Sequence, residues 1–488
     1  MRALWGSNKD RKGIAVILTT MSMLTIVPMV GLGIDVSTLY IVRAKMYEAA
    51  DAAALAGARG LGQGPDLGTQ ASNAQAAATK FFNANFPTGF WGATNITLNT
   101  PSVDSNTVPN YRTVSITASA QAPLYFLRIL GQTATSLTVT TTAGRRDALV
   151  MLVLDRSSSM NYAFQSTTAC AILKTDAAQF LTNFAPGRDM VGLVVFGSTA
   201  FVSPPRANFN VADAQGNTIA SLIGQISCTG NTNTSEAMQQ AYQQIVNVNS
   251  TTRTNVIVLM TDGRPNGFTG DYTALRSHPA SCDPLGSPLV GTLAQWAGGP
   301  VSTGTTAGLM NYSTTSITNA NENAIPNGSG CQFAGDLTRA RNDLSGMPAT
   351  DVYGNSTSGT YSVGNPNAPY NGMAATLTSV TSPQMIEVAS TNVLDNEGIK
   401  IRTNATLKPA IYTIALEGTS PGDPPDTLIL RKLANDPTME NDPDPTTRAF
   451  FQTQRLQPRG YFVDAPDPSQ LCAAFNAIAT QIVVRLAK

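Results

Sequence analysis

Hydrophobic positions change their spacing several times along the chain, and each change marks an element. Gly13 to Ile34 carries no charged residue, and about 20 apolar residues suffice to cross a bilayer as a helix. Helical spacing continues from Asp35 to about Arg59 and becomes dense in alanine. Beyond the Gly/Pro break at Gly60 to Gly68, a second alanine-rich helix is expected near Gln70 to Phe82. Alternation then replaces helical spacing: Val114, Ile116, Ala118 and Ala120, and later Leu137 and Val139, read as strands with one buried face. Between them a short helix from Pro123 should stop at Gly131.

From Ala148 the pattern changes again. Ala148 to Leu154 is unbroken apolar sequence, as expected of a strand buried on both faces. Met190 to Phe196, Asn255 to Thr261, Ile411 to Leu416 and Tyr461 to Val463 are further strands. Helices fall between them. Thr168 to Phe184 places Leu173, Ala177, Phe180, Leu181 and Phe184 on one stripe, and Pro186-Gly187 ends it. Others run from the polar loop at Thr229 to about Val246 and from Gln384 to Leu394. The last helix has Asp467 as cap, Pro468 in its first turn and Gln470 placed for a capping box, with Leu471, Phe475, Ile478, Ile482 and Leu486 on one face. Strands alternating with helices predict an α/β fold with a mostly parallel sheet.

The resulting division is 1–12 as a cytoplasmic N-terminus, 13–34 as a transmembrane helix, 35–146 as a small membrane-proximal α+β domain, 147–263 and 382–488 as two parts of one α/β domain, and 264–381 as an insertion. Arg2, Lys9, Arg11 and Lys12 against the single acid Asp10 orient the N-terminus to the cytoplasm and the body across the membrane. The apolar run is too long for a cleavable signal core and no small-x-small site follows it, so it reads as a retained anchor. The insertion is rich in Gly, Ser, Thr, Asn and Pro, a composition that alone reads as a disordered linker. Cys282, Cys331 and a short helical pattern from Phe333 to Leu344 argue for some structure in it.

Composition removes several function classes. Of the 488 residues 42% are hydrophobic and 13% charged, and Lys plus Arg (31) equals Asp plus Glu (31). No global field draws the protein to nucleic acid. The five cysteines form no CxxC and no zinc spacing. Outside the cytoplasm two pairs can form, expected as Cys170 with Cys228 and Cys282 with Cys331 because each pair lies within one region, leaving one cysteine over. The one histidine, His278, lies in the insertion as a surface loop residue; with no GxSxG, no Walker A and no GxGxxG after a strand, the protein is not expected to be an enzyme.

The remaining chemistry lies at strand ends. Asp155-x-Ser157-x-Ser159 follows the strand at Ala148, Thr232 sits where a polar loop enters a helix, and Asp262 ends the strand at Asn255. Ligands bind at the C-terminal ends of strands in open α/β sheets. Five small oxygen donors converging there suit a hard divalent cation such as Mg2+. Nothing beside them supplies a general base.

Two resemblances follow from these residues. Arg11-Lys12-Gly13-Ile14-Ala15-Val16, the exit Gly33-Ile34-Asp35-Val36 and Ala49-Ala50-Asp51-Ala52-Ala53-Ala54-Leu55-Ala56 resemble the N-terminal region of TadG-like proteins of tight-adherence (Tad/Flp) pilus systems. That resemblance implies an envelope protein, anchored in the inner membrane with its body in the periplasm or at the cell surface, that works with other pilus-assembly components in assembly or surface attachment. Leu18 stands fifth after Gly13 where related pseudopilins carry Glu, so prepilin-peptidase processing is not expected. The set Asp155, Ser157, Ser159, Thr232 and Asp262 resembles the metal-ion-dependent adhesion site of von Willebrand factor type A (vWA) domains. The family implies a Rossmann-like fold and Mg2+, with Mn2+ or Ca2+ as substitutes. Its serines and threonine contact the metal through hydroxyls, and its open position takes a ligand, often a carboxylate of a protein partner. Ser158 departs from the glycine usual in the family. The insertion leaves the sheet directly after Asp262, so it should border or cover the metal face. Three other readings stay open: a vWA fold without metal, a scaffold assembled through the N-terminal helices with a passive vWA domain, and, remotely, a metal-dependent hydrolase.

Overall fold

The computed structural model describes residues 10–272, 289–295, 307–310, 317, 346–358, 383–419 and 424–486. They divide into two units, one holding residues up to 64 and 68–145, the other 65–67 and 146–486.

The first unit is built on one long helix, α1 (Asp10–Gly60). Its N-terminal part projects apolar side chains outward, with Ile17, Leu24 and Met29 all exposed. From Val42 onward Met46, Ala49, Ala50, Ala53 and Ala54 are buried. They pack with Ala74, Ala78 and Phe82 of α2 (Leu67–Asn85) and with a sheet of β1 (Thr94–Leu98), β2 (Ser102–Val108), β3 (Tyr111–Pro123) and β4 (Ala134–Arg146). The small side chains permit close approach: a Cβ on Gly60 would lie 2.8 Å from the Ala74 Cα. Strand β3 is central, pairing with β1, β2 and β4, and its residues alternate strictly between buried and half-buried. The helix expected after Pro123 is a single 3-10 turn, Leu127–Leu130, ended by Gly131 at φ 89°. Only a residue without a Cβ adopts that conformation freely.

The second unit carries β5 (Ala148–Asp155), a small hairpin of β6 (Ala163–Phe164) and β7 (Thr167–Thr168), then α3 (Ala169–Phe180), β8 (Met190–Phe196), β9 (Ala200–Arg206), α4 (Ile219–Gln225), α5 (Thr234–Val248) and β10 (Thr254–Thr261). After the insertion come α6 (Pro383–Arg402), β14 (Ala410–Leu416), α7 (Thr427–Ala434), α8 (Pro445–Thr453), β15 (Phe462–Ala465) and α9 (Leu471–Leu486). The main sheet runs β15-β14-β10-β5-β8-β9, parallel except for the antiparallel edge strand β9. Each face is covered by helices. Val150, Leu152 and Leu154 join the core under α3, α4 and α9, while Leu149, Met151 and Val153 join the core under α5, α6 and α7. Apolar residues on both faces explain why β5 shows no alternation.

Several details differ from expectation. Helix α3 is shorter than Thr168 to Phe184: Thr168 caps it, its hydroxyl accepting from Ala171 N, and a 3-10 turn follows at Leu181–Asn183. Helix α6 runs on to Arg402. Strand β9 has no clear sequence signal because Pro204 and Pro205 interrupt it, which only an edge strand tolerates.

Part of the insertion is ordered β structure. Strands β11 (Gly267–Tyr272), β12 (Leu289–Gln295) and β13 (Ala307–Met310) form an antiparallel sheet, and Asp351 bridges to Gly270. His278, the pair Cys282 and Cys331, and the helical pattern at Phe333 to Leu344 lie outside the described residues.

Candidate metal centre

Register brings the two aspartates together. Leu154 of β5 pairs with Met260 of β10, so the chain leaves both strands at the same level, with Asp155 and Thr261 next in line. The Thr261 hydroxyl donates to Asp155 Oδ2 at 2.5 Å, and Ser157 N donates to Asp155 Oδ1 at 2.7 Å. Asp262 Oδ1 receives Ser157 Oγ at 3.1 Å and Ser159 Oγ at 2.8 Å, and the two serine oxygens lie 2.9 Å apart. Four of the five expected donor residues therefore form one hydrogen-bonded group. Thr232 lies alongside: a Cβ on Gly263 would stand 3.4 Å from its hydroxyl.

The loops are fastened to one another. Ser158 N and Ser158 Oγ both donate to Gly230 O, at 3.0 and 3.1 Å, so the serine in place of glycine links the first loop to the second. Thr229 N donates to Arg156 O, and Asn161 Nδ2 to Cys228 O at 2.6 Å. The disulfide Cys170–Cys228 ties the start of α3 to the strand of chain leading to Thr232, with the Cα atoms 6.2 Å apart. This is the first of the two expected pairs. Cys472 is free and half-buried.

Residues not singled out from sequence hold the third loop. Asn266 Oδ1 accepts from Thr232 N at 2.7 Å, and Asn266 N donates back to Thr232 O. Asn233 caps α5 through Oδ1, while its Nδ2 donates to Thr269 Oγ1 and Thr292 Oγ1 of the inserted sheet. The insertion thus begins stitched to the Thr232 loop. Asn266 carried no local signal, since its partner is 34 residues away. Thr261 was visible as part of Met260-Thr261-Asp262-Gly263, but its role depends on the register between β5 and β10.

Both aspartates are completely buried. Burial raises the pKa of Asp155 against its hydroxyl and amide donors. Burial, and then the charge of Asp155, raises Asp262. Asp262 Oδ2 is buried and makes no hydrogen bond of normal geometry, the Thr419 hydroxyl being the nearby group that favours its charged form. Such an oxygen is costly unless something positive meets it. A hard divalent cation fits this donor set: it needs carboxylate and hydroxyl oxygens and tolerates retained waters. Among the described residues no three His, Cys, Asp or Glu side chains converge as a metal site, so hydroxyls are essential to such a fit.

A second buried acidic group lies in the same unit. Glu236 Oε1 accepts from Tyr353 Oη and Gln240 Nε2, each at 2.8 Å. Asn355 Nδ2 donates to Asp351 Oδ2 at 2.8 Å and to Glu397 Oε2 at 2.7 Å. Lys400 Nζ stands 3.2 Å from Glu397 Oε2. Burial raises the pKa of Glu236, Asp351 and Glu397, while the Lys400 ammonium pulls Glu397 and Asp351 back down.

Comparison with known proteins agrees with this architecture. Residues 150–264 match the model of the von Willebrand factor type A domain, and residues 13–60 match the Flp pilus-assembly TadE/G-like model. Calcium-activated chloride channel regulator 3A-1 of Mus musculus is 31% identical over 160 residues, 32% of this chain. The chain spans only 17% of that relative's length. Among solved structures, a mutant of the PilB minor pilin from Streptococcus sanguinis aligns over 80% of each chain at 14% identity and TM-score 0.37. The vWF domain of the type V pili tip protein Mfa5 from Porphyromonas gingivalis aligns over 70% of this chain and 97% of that one at 17% identity and TM-score 0.33. This chain therefore joins a TadE/G-like N-terminal segment to a von Willebrand factor type A domain of α/β fold.

Proposed function

We propose that this is a membrane-anchored, extracytoplasmic vWA protein that binds a protein partner through a divalent cation, in Tad/Flp pilus assembly or surface adhesion. The observation that carries the reading is the hydrogen-bonded group Asp155, Ser157, Ser159 and Asp262, buried except for the half-buried Ser159, with Thr232 beside it and Asp262 Oδ2 without a hydrogen bond of normal geometry. These five residues would hold Mg2+, Mn2+ or Ca2+. When bound, the cation supplies a Lewis-acidic point to which an anionic partner group, such as a carboxylate, adds. The protein's own part is to fix the oxygens: Thr261 and Ser157 N orient Asp155, and the Gly230 carbonyl holds Ser158 and with it the serine loop. Among the described residues no histidine, lysine or arginine is hydrogen-bonded to the two aspartates, and the reading is of binding rather than catalysis.

Anchoring is supported by the exposed apolar face of α1 from Ile14 to Ile34 and by the TadE/G-like match over the same stretch. The alanines beyond it, which a scaffold assembled by helix contacts would offer to neighbours, are already buried within their own unit. The basic N-terminal flank supports a cytoplasmic N-terminus and a body outside the inner membrane.

Thermal unfolding and capture of pilus-assembly components, with and without Mg2+ or Mn2+, test the reading, with Asp155→Ala as control. The cation should stabilise the parent protein and strengthen capture, and do neither in the variant. An unchanged parent protein contradicts the adhesion-site reading and leaves the scaffold reading in its place.

A further inference from the structure

The membrane-proximal unit exposes apolar and aromatic side chains at one end of its sheet. Ile129 is 79% exposed, Leu130 73%, Tyr125 55% and Trp91 53%. They come from two turns: the 3-10 turn at Phe90–Gly92, and the segment from Leu124 to Gly131 that contains the turn Leu127–Leu130. Both leave the sheet at the same end, because Thr94, at the start of β1, pairs with Gln121, near the end of β3. The turns also adjoin: a Cβ on Gly92 would lie 3.2 Å from Tyr125 Oη. Trp91 is held in the left-handed region at φ 48°, a costly conformation for a residue with a side chain.

The height of this end relative to α1 is fixed by two contacts. Asp35, buried on α1, accepts from the backbone N–H of Tyr125 at 2.6 Å, of Phe126 at 3.0 Å and of Leu127 at 2.9 Å. One turn earlier on α1, Gly31 is covered by the Phe126 ring, since a Cβ there would stand 2.1 Å from Phe126 Cδ2. Gly31 belongs to the uncharged run. Whatever touches it sits at the depth of that run, and the step from Gly31 to Asp35 along the helix is only about 6 Å.

We propose that Trp91, Tyr125, Ile129 and Leu130 enter the lipid interface of the leaflet facing the body, making a second membrane contact beside α1. The proposal rests on the reading that 14–34 crosses the bilayer. Its occupant is the phospholipid surface, because the patch is continuous with the part of α1 that reading places in lipid. Trp and Tyr favour the headgroup level, where the ring is apolar and its N–H or O–H stays wet. The exposed Arg128, between Leu127 and Ile129, can bury its stem and keep its guanidinium among lipid phosphates. A side contact of this kind fixes the rotation and tilt of the unit against the membrane, which one helix leaves free.

The test uses the full chain carrying Trp5→Phe and Trp296→Phe, so that Trp91 is the only indole of the three in the sequence. It is reconstituted in phosphatidylethanolamine and phosphatidylglycerol vesicles whose acyl chains carry bromine either near the headgroup or near the bilayer centre. Trp91 emission should be quenched strongly by shallow bromine and weakly by deep bromine, as for a ring roughly 5–10 Å into the interface. Adding Ile129→Ser and Leu130→Ser should remove most of that quenching while the protein still resists alkaline carbonate extraction. Trp91 that is open to acrylamide and untouched by bromine, in protein that resists extraction, overturns the proposal and leaves the spanning helix standing. Trp91 shielded from both quenchers means that a second copy or a protein partner covers the patch, and also overturns it. Release of the whole protein by carbonate is the distinct failure of the spanning reading, and the proposal falls with it.

Discussion

The vWA unit buries carboxylates in two places and balances them differently. Glu236, Asp351 and Glu397 are met by Tyr353, Gln240 and Asn355, and an ion pair with Lys400 supplies a resident positive charge. Asp155 and Asp262 are met by hydroxyls and backbone amides, and among the described residues neither forms an ion pair. The first group has one resident ammonium for three carboxylates, leaves Glu236 Oε2 and Glu397 Oε1 without hydrogen bonds, and works as a joint, fastening residues 346–358 of the insertion to α5 and α6. The second has no ammonium or guanidinium paired with it among the described residues, and the proposed cation would take that place. The contrast teaches that buried acid and an unpartnered carboxylate oxygen occur in both places and do not by themselves mark a metal site; the two places differ in the resident ammonium and in the hydroxyls gathered round the aspartates.

Four experiments break or sharpen this contrast. The largest effect is expected from Cys170→Ala with Cys228→Ala, which removes a covalent tie beside the aspartate pair. It should cost about 2–4 kcal/mol in denaturant unfolding and shrink the stabilisation given by Mg2+. Next is Lys400→Met, which strands Glu397; discounted for the partial exposure of Lys400, the loss should be about 1 kcal/mol. Mg2+ stabilisation should be unaffected. If Lys400→Met altered the cation response, the two groups would not be independent.

How far the sequence reached follows from the same contrast. Asp155, Ser157, Ser159, Thr232 and Asp262 were legible because each follows a periodic apolar run or precedes a helix, and the motif types are local. The parallel strands were legible for the same reason: Ala148 to Leu154 and Met190 to Phe196 are continuous apolar runs that only a doubly covered sheet accommodates. The joint of Glu236, Asp351 and Glu397 was not legible. Its members are up to 161 residues apart in sequence, counting from Glu236 to Glu397, and meet only through tertiary packing. Asn266 and β9 escaped for related reasons, one acting through a distant backbone group and the other broken by two prolines.

A smaller effect is expected from Asp262→Asn. Removing a desolvated charge should leave the cation-free protein unchanged or more stable by on the order of 1 kcal/mol, while Mg2+ stabilisation disappears. The smallest is the pH dependence of the joint. The folded pKa of Glu236 is raised above its ordinary 4.5, burial being the largest cause. The glutamate therefore stabilises the fold fully only below its unfolded pKa, and that contribution is lost as pH rises through the folded value. Glu236→Gln should match the parent in urea midpoint below pH 4.5 and exceed it at neutral pH. Equal midpoints at both pH values would mean that the joint is not strained by its charge.

The central claim is that a divalent cation is held by the loops after β5 and β10 and before α5. The most direct measurement is the anomalous scattering of Mn2+ in crystals of the protein grown with that ion. The expected result is one strong peak within roughly 2.0–2.6 Å of oxygens from the set Asp155, Ser157, Ser159, Thr232 and Asp262, some reached through water. Ordered loops without a peak there, or a peak at Glu236, Asp351 and Glu397 instead, would contradict it.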